Sequence, residues 1–128
     1  MFASTKATNG FAVDDIEATE RFYGEALGLG FKLLSEEHGV ASIQLAGGRE
    51  TLVYAKPDFV PATYTILNFE VDDIDAAVDE LVAKGIALER YEGFEQDEKG
   101  IARGPGPAIA WFKDPAGNIL SVLQQPAE

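Results

Sequence analysis

Two short stretches of alternating apolar and small or polar residues each run straight into a pair of aspartates and then into a helical period. They are Phe11-Ala-Val-Asp-Asp-Ile-Glu-Ala18 and Phe69-Glu-Val-Asp-Asp-Ile-Asp-Ala76, identical at six of eight positions and offset by 58 residues. Period-two alternation predicts a strand, and an aspartate at its end caps a helix by accepting the first free N–H groups. The second helix gathers Ile74, Ala77, Val78, Leu81 and Val82 on one face, sets Asp75, Asp79 and Glu80 elsewhere, and stops at Gly85. The first places Ile16, Thr19, Phe22, Tyr23, Ala26 and Leu27 similarly, with Glu17 and Arg21 as an exposed pair.

Strand-like runs follow each helix. Ser42 to Tyr54 matches Ala110 to Val122 without a gap at an offset of 68 residues, and both read as hairpins. Asp114-Pro-Ala-Gly-Asn118 supplies proline for a fixed φ, glycine for a positive φ and asparagine for side-chain turn bonds. Further strands over 31–34 and 86–91 complete βαβββ in each half. The expectation is one α+β domain over residues 1–128, with module one at about 8–56, a linker at 57–61 and module two at about 62–126. Each curled mixed sheet would border a cavity.

The chain's 128 residues suffice for one such domain, burying roughly two thirds of the unfolded surface. With 22 acidic residues against 10 basic ones the net charge is −12, which disfavours nucleic acid and anionic membrane as partners. Zero cysteines exclude disulfides, thiolate nucleophiles and sulfur-ligated metals. No run approaches the about 20 apolar residues of a membrane span, and residues 1–8 lack a leader pattern, so a cytoplasmic location is expected.

The two Val-Asp-Asp-Ile junctions, Phe22-Tyr23 with Leu27-Gly28, and the closing Phe112-Lys-Asp-Pro-Ala-Gly-Asn118 together resemble the vicinal-oxygen-chelate superfamily, from about Thr8 to Gln124. That group includes glyoxalase I, extradiol dioxygenases and the bleomycin resistance proteins. The resemblance implies four positions at which metal-using members ligate a divalent ion. They fall on Thr8 and Ile66 in the opening strands, on Ser121 in the last strand, and on Val53 as its counterpart at the 68-residue offset. Valine and isoleucine side chains carry no lone pairs, and two neutral hydroxyls do not offset dehydration of the ion. No metal or other cofactor is therefore expected. The only histidine, His38, sits in the charged turn Glu36-Glu37-His38-Gly39.

Alternation then sorts the remaining positions. Ile66, Asn68 and Glu70 are expected toward the cavity, with Thr8, Gly10 and Ala12 as their counterparts. Phe112 and Ser121 are expected there from the closing hairpin, while Trp111 is placed with Ile43 on the helix side. The expected ligand-lining set is Thr8, Gln44, Val53, Ile66, Asn68, Glu70, Phe112 and Ser121. The glycine-rich segment 91–107 reads either as a lid contacting ligand through Phe94 and Arg103, or as an ordered loop packed on a second subunit.

The leading function is metal-independent binding of a small, partly apolar organic molecule by a homodimer, with no catalytic residue assigned. One alternative is a glyoxalase, lyase or dioxygenase whose displaced metal site draws on Glu70, His38 or the acids at 92–98. Another is a scaffold or interaction module without ligand.

Overall fold

The computed structural model describes residues 1–127. The chain forms two compact units, one from Met1 to Pro61 and one from Ala62 onward. The first comprises β1 (Asn9–Val13), α1 (Ile16–Thr19) running into a π-helical segment (Glu20–Ala26), β2 (Gly30–Ser35), β3 (Val40–Leu45) and β4 (Arg49–Ala55). Its sheet has the order β1-β4-β3-β2, with β1 parallel to β4 and the other pairs antiparallel. The second comprises β5 (Thr65–Glu70), α2 (Ile74–Ala83), β6 (Leu88–Glu89), β7 (Ala108–Lys113) and β8 (Ile119–Gln124), in the order β5-β8-β7-β6 with only β5–β8 parallel. Each unit is βαβββ, the architecture is α+β as the sequence pattern predicts, and neither four-stranded sheet closes into a barrel.

Both helices begin at the second aspartate of the pair. Asp15 is extended (φ −141°) and its Oδ1 accepts the N–H groups of Glu17 and Ala18 at 3.0 and 3.1 Å. Asp73 repeats this (φ −139°), accepting the Ala76 N–H at 3.1 Å. At the far end of α2, Gly85 takes φ +81° so that its N–H reaches the Val82 carbonyl and the Ile86 N–H reaches that of Leu81. A side chain would strain that conformation, which is why glycine ends the helix. Ile74, Val78 and Leu81 are buried as expected, whereas Val82 lies at the rim of the stripe and is 58% exposed.

The first helix departs from a simple amphipathic α-helix. After one α-turn it widens, the Leu27 N–H bonding the Phe22 carbonyl and the Leu29 N–H that of Tyr23. Tyr23 becomes fully buried against Phe11, with ring centroids 5.7 Å apart. β6 is also shorter than the predicted 86–91. Beyond Glu89 the Gln96 side chain takes the place of a strand partner, donating to the Glu89 carbonyl and accepting from the Tyr91 N–H.

The closing turn is a structural knot. Asp114 Oδ1 accepts the Asn118 N–H at 2.8 Å, the Asn118 amide donates to Asp114 Oδ2 at 3.2 Å, and Asn118 Oδ1 accepts the Ala62 N–H at 3.2 Å. Both side chains are buried, so their unmet bonds would have no water to replace them. Asn118→Ala should therefore destabilise the protein by about 1–3 kcal/mol. A urea titration giving an unchanged midpoint would contradict this role for the motif.

Candidate functional site

Ladder register sorts the side chains of each sheet into two faces. In the first unit Phe11, Val53 and Ala41 are aligned across β1, β4 and β3, and the Phe11 contact with Tyr23 identifies this as the helix-bearing face. The opposite face carries the row Gly10, Leu52, Ser42 and Lys32. In the second unit Leu120, Phe112 and Leu88 align on the helix side, where Leu88 joins Val78 and Val82 of α2 in lining one groove. The opposite face carries Asn68, Ser121, Trp111 and Glu89, one side chain from each strand.

This register corrects three sequence expectations about faces. Gly10 and Asn68 are 58 residues apart, but Leu52 and Ser121, like Ser42 and Trp111, are 69 apart rather than 68. A one-residue slip exchanges the faces of every side chain in a strand. Val53 and Phe112, expected to line the cavity, instead lie under the helices, 0% and 1% exposed, and Trp111 moves to the opposite face. The turn glycines carried the signal, since Gly48 and Gly117 are 69 residues apart and both adopt positive φ, +70° and +95°.

Around the row in the second unit the chemistry is mixed. The Ser121 hydroxyl, fully buried, donates to Asn68 Oδ1 at 2.5 Å, so the Asn68 side chain has an internal partner while the residue remains exposed. Trp111, 8% exposed, is flanked by Tyr91 edge-on at 5.5 Å and by Phe94 at 4.9 Å. The Tyr91 hydroxyl is buried without a partner, and burial, with the Glu89 charge adding to it, raises its pKa so that the phenol stays neutral. Glu70 is exposed one row further along β5 and accepts from the Gln125 amide at 3.2 Å.

The segment from Tyr91 to Pro107 is ordered by its own bonds. Gln96 also donates to the Gly100 carbonyl, and Asp97 Oδ1 accepts the N–H groups of Lys99 and Ile101, both at 2.9 Å. Burial opposes the Asp97 charge, but these bonds and the Arg103 guanidinium outweigh it and lower the pKa. Arg103 grips Asp75 of α2 at 3.0 Å with Asp97 at 3.2 Å, and Lys99 reaches Asp79 at 3.1 Å. Of the two contacts expected from this segment, Phe94 packs at the row and Arg103 is committed to the helix side.

In the first unit Gln44 donates to the Ser42 hydroxyl at 2.9 Å, which donates to Glu50 Oε2 at 2.7 Å. The Ser42 bond, opposed by burial and assisted by Lys6, Gln44 and Lys32, lowers the Glu50 pKa. Thr8 is exposed just ahead of β1, and Ile66 is half-buried at the register break between Thr65 and Leu67. With the register corrected, the four positions implied for metal ligands become Thr8, Leu52, Ile66 and Ser121, still two hydrocarbons and two hydroxyls. That donor set does not fit a divalent ion. Among the described residues no three His, Asp or Glu side chains group to hold one, and this includes Glu36, Glu37 and His38.

A profile of the Glyoxalase/Bleomycin resistance protein/Dioxygenase superfamily matches residues 7–122. The chain belongs to that superfamily. Its fold is shared with an antibiotic-binding protein, TnmS3, from Streptomyces sp. CB03234, at 24% identity and TM-score 0.69 over 96% of this chain and 98% of that one. Lactoylglutathione lyase from Agrobacterium tumefaciens shares it at 22% identity and TM-score 0.68, covering 94% of this chain and 93% of that one. A glyoxalase family protein from Enterococcus faecalis matches at 24% identity and TM-score 0.67, covering 96% and 99%. A search of curated protein sequences found no match.

Two measurements check the geometry. The Glu50 carboxyl, followed by NMR, should titrate below the ordinary 4.5, and Ser42→Ala should move it upward. Because the folded pKa is depressed, the stability Glu50 contributes is present above the unfolded value and is lost as pH falls through the folded one. Phe94→Ala should uncover the indole of Trp111, the only tryptophan, shifting its emission to longer wavelength and increasing acrylamide quenching. An unshifted spectrum would show that Phe94 does not cover it.

Proposed function

We propose that the protein binds a small, partly apolar organic molecule without a metal, at the face of the second sheet that carries Asn68, Ser121 and Trp111. The observation that carries this reading is the row itself. The exposed Asn68 amide, held by the buried Ser121 hydroxyl, lies beside an aromatic cluster on one face, the mixture of apolar wall and few polar groups that orients an organic ligand. Phe94 is 55% exposed and packs on Trp111 from a stretch, residues 92–95, that lies outside every strand and bridge, so it can yield to a ligand ring. The antibiotic-binding neighbour shows that this fold can serve a binder, and the unsuitable donor set supports a site that needs no metal. A cytoplasmic homodimer belongs to the same proposal, and light scattering of the purified protein tests the dimer.

A groove of about 420 Å³ lies on the other side of this sheet, between α2 and the loop. It is a weaker candidate because its cations are already engaged. Arg90 donates to the Asp97 and Glu98 carbonyls, and Lys99 pairs with Asp75 and Asp79.

Protein dialysed against EDTA should show a raised Tm with at least one class among diverse aromatic and amphiphilic compounds. Asn68→Ala should weaken that binding about fivefold or more, the worth of one hydrogen bond. Near-stoichiometric transition metal in the purified protein, with binding abolished on its removal, would overturn the metal-independent reading. Uniform failure of every compound class would overturn the ligand itself.

A further inference from the structure

We propose that the ligand of this face is an organic cation whose charge is quaternary or delocalised, an inference that rests on the binding reading above and specifies its chemistry. Three observations converge on it. First, Glu89-Arg-Tyr-Glu-Gly-Phe-Glu95 interleaves three glutamates with the two rings that pack on Trp111. Aromatic faces carry negative quadrupole charge, and rings bordered by carboxylates favour a cation twice over.

Second, Glu89 stands directly opposite Trp111 in the ladder, placing a carboxylate at the end of the row. Its only ion-pair partner among the described residues is Lys113, at 3.6 Å, and both side chains are partly exposed, 29% and 46%. Such a loose exposed pair contributes little and is easily exchanged for a ligand's charge.

Third, the second unit holds thirteen acidic residues against five basic ones, so it carries −8 of the total −12. Lys99 and Arg103 are bound to the carboxylates of α2, and Arg90 to backbone carbonyls, while Lys113, which shares the face of Trp111 on β7, is paired with Glu89. An anion would meet ring faces and carboxylates with Lys113, already paired with Glu89, as the neighbouring cation.

The form of the cation follows from the cost of drying it. A compact ammonium is strongly hydrated, whereas a delocalised or methylated charge sheds water cheaply and stacks on an indole.

The single tryptophan makes the test direct, since quenching of its emission reports on this face alone. Three matched two-ring probes suffice, namely N-methylquinolinium, neutral 1-methylnaphthalene and anionic 1-naphthoate. The cation should quench Trp111 saturably, with a Kd about tenfold or more below those of the other two, and salt should weaken it. In the surface variant Glu89→Gln, Glu92→Gln, Glu95→Gln the preference should fall to about twofold or less. Equal or tighter binding of the neutral or anionic probe, or a preference that survives in that variant, overturns the cation while leaving the binding reading standing. Failure of all three probes to bind, with the protein folded by circular dichroism, removes both.

Discussion

Backbone pairing of β8 with β5 on one side and β7 on the other decides which side chains of the second unit can act together. Because the side-chain period of a strand is two, the ladder assigns Asn68, Ser121, Trp111 and Glu89 to one face and Leu120, Phe112 and Leu88 to the other with nothing in between. The helix needs the hydrocarbon face, so the polar and amphipathic residues share the remaining one. The buried turn from Asp114 to Asn118 holds this register, for it starts β8 at a fixed point after β7 and ties the same corner to Ala62 ahead of β5. The turn motif is thus the fastening that fixes the row on the two strands it joins.

Much of the fold was legible in the chain. The paired aspartates announced both helix starts, Gly85 announced a helix end, and the repeated strand-helix order gave two βαβββ units. What failed was the phase of the hairpins. The stretches Ser42 to Tyr54 and Ala110 to Val122 share too few residues to distinguish an offset of 68 from one of 69, and alternation converts that small difference into opposite faces. Asn68, Glu70 and Ser121 kept their predicted face because they were placed from within their own unit. Val53 inherited its place from the slipped match, and Phe112 and Trp111 were turned over with it. Tyr91 was missed as a site residue because its contact with Trp111 arises only once β6 pairs with β7. The widened turn of the first helix had no evident signal in sequence either, since Phe22 and Tyr23 fit an ordinary amphipathic period.

The distribution of charge completes the picture. Where the loop crosses the second sheet's edge it sends Lys99 and Arg103 toward α2 and Phe94 toward Trp111. One short stretch therefore neutralises the acidic helix on one side and supplies an aromatic ring on the other. The consequence is electrostatic sorting: Lys99 and Arg103 are spent on holding the loop in place, and the opposite face carries rings, an amide and carboxylates, with Lys113 paired to Glu89. In the superfamily to which the chain belongs, the same architecture accommodates proteins named for lyase activity and for antibiotic binding. The fold sets the wall, and side-chain chemistry on it decides the use.

Gln96 gives this arrangement a further property. By taking over the donor and acceptor roles of a missing strand partner beside Glu89 and Tyr91, its amide closes the ladder before the loop tip begins. Residues 92–95 lie outside every strand and carry no pairing the sheet requires. Their identity is thereby uncoupled from the integrity of the scaffold, so selection can rewrite the chemistry of the tip without renegotiating how the sheet folds.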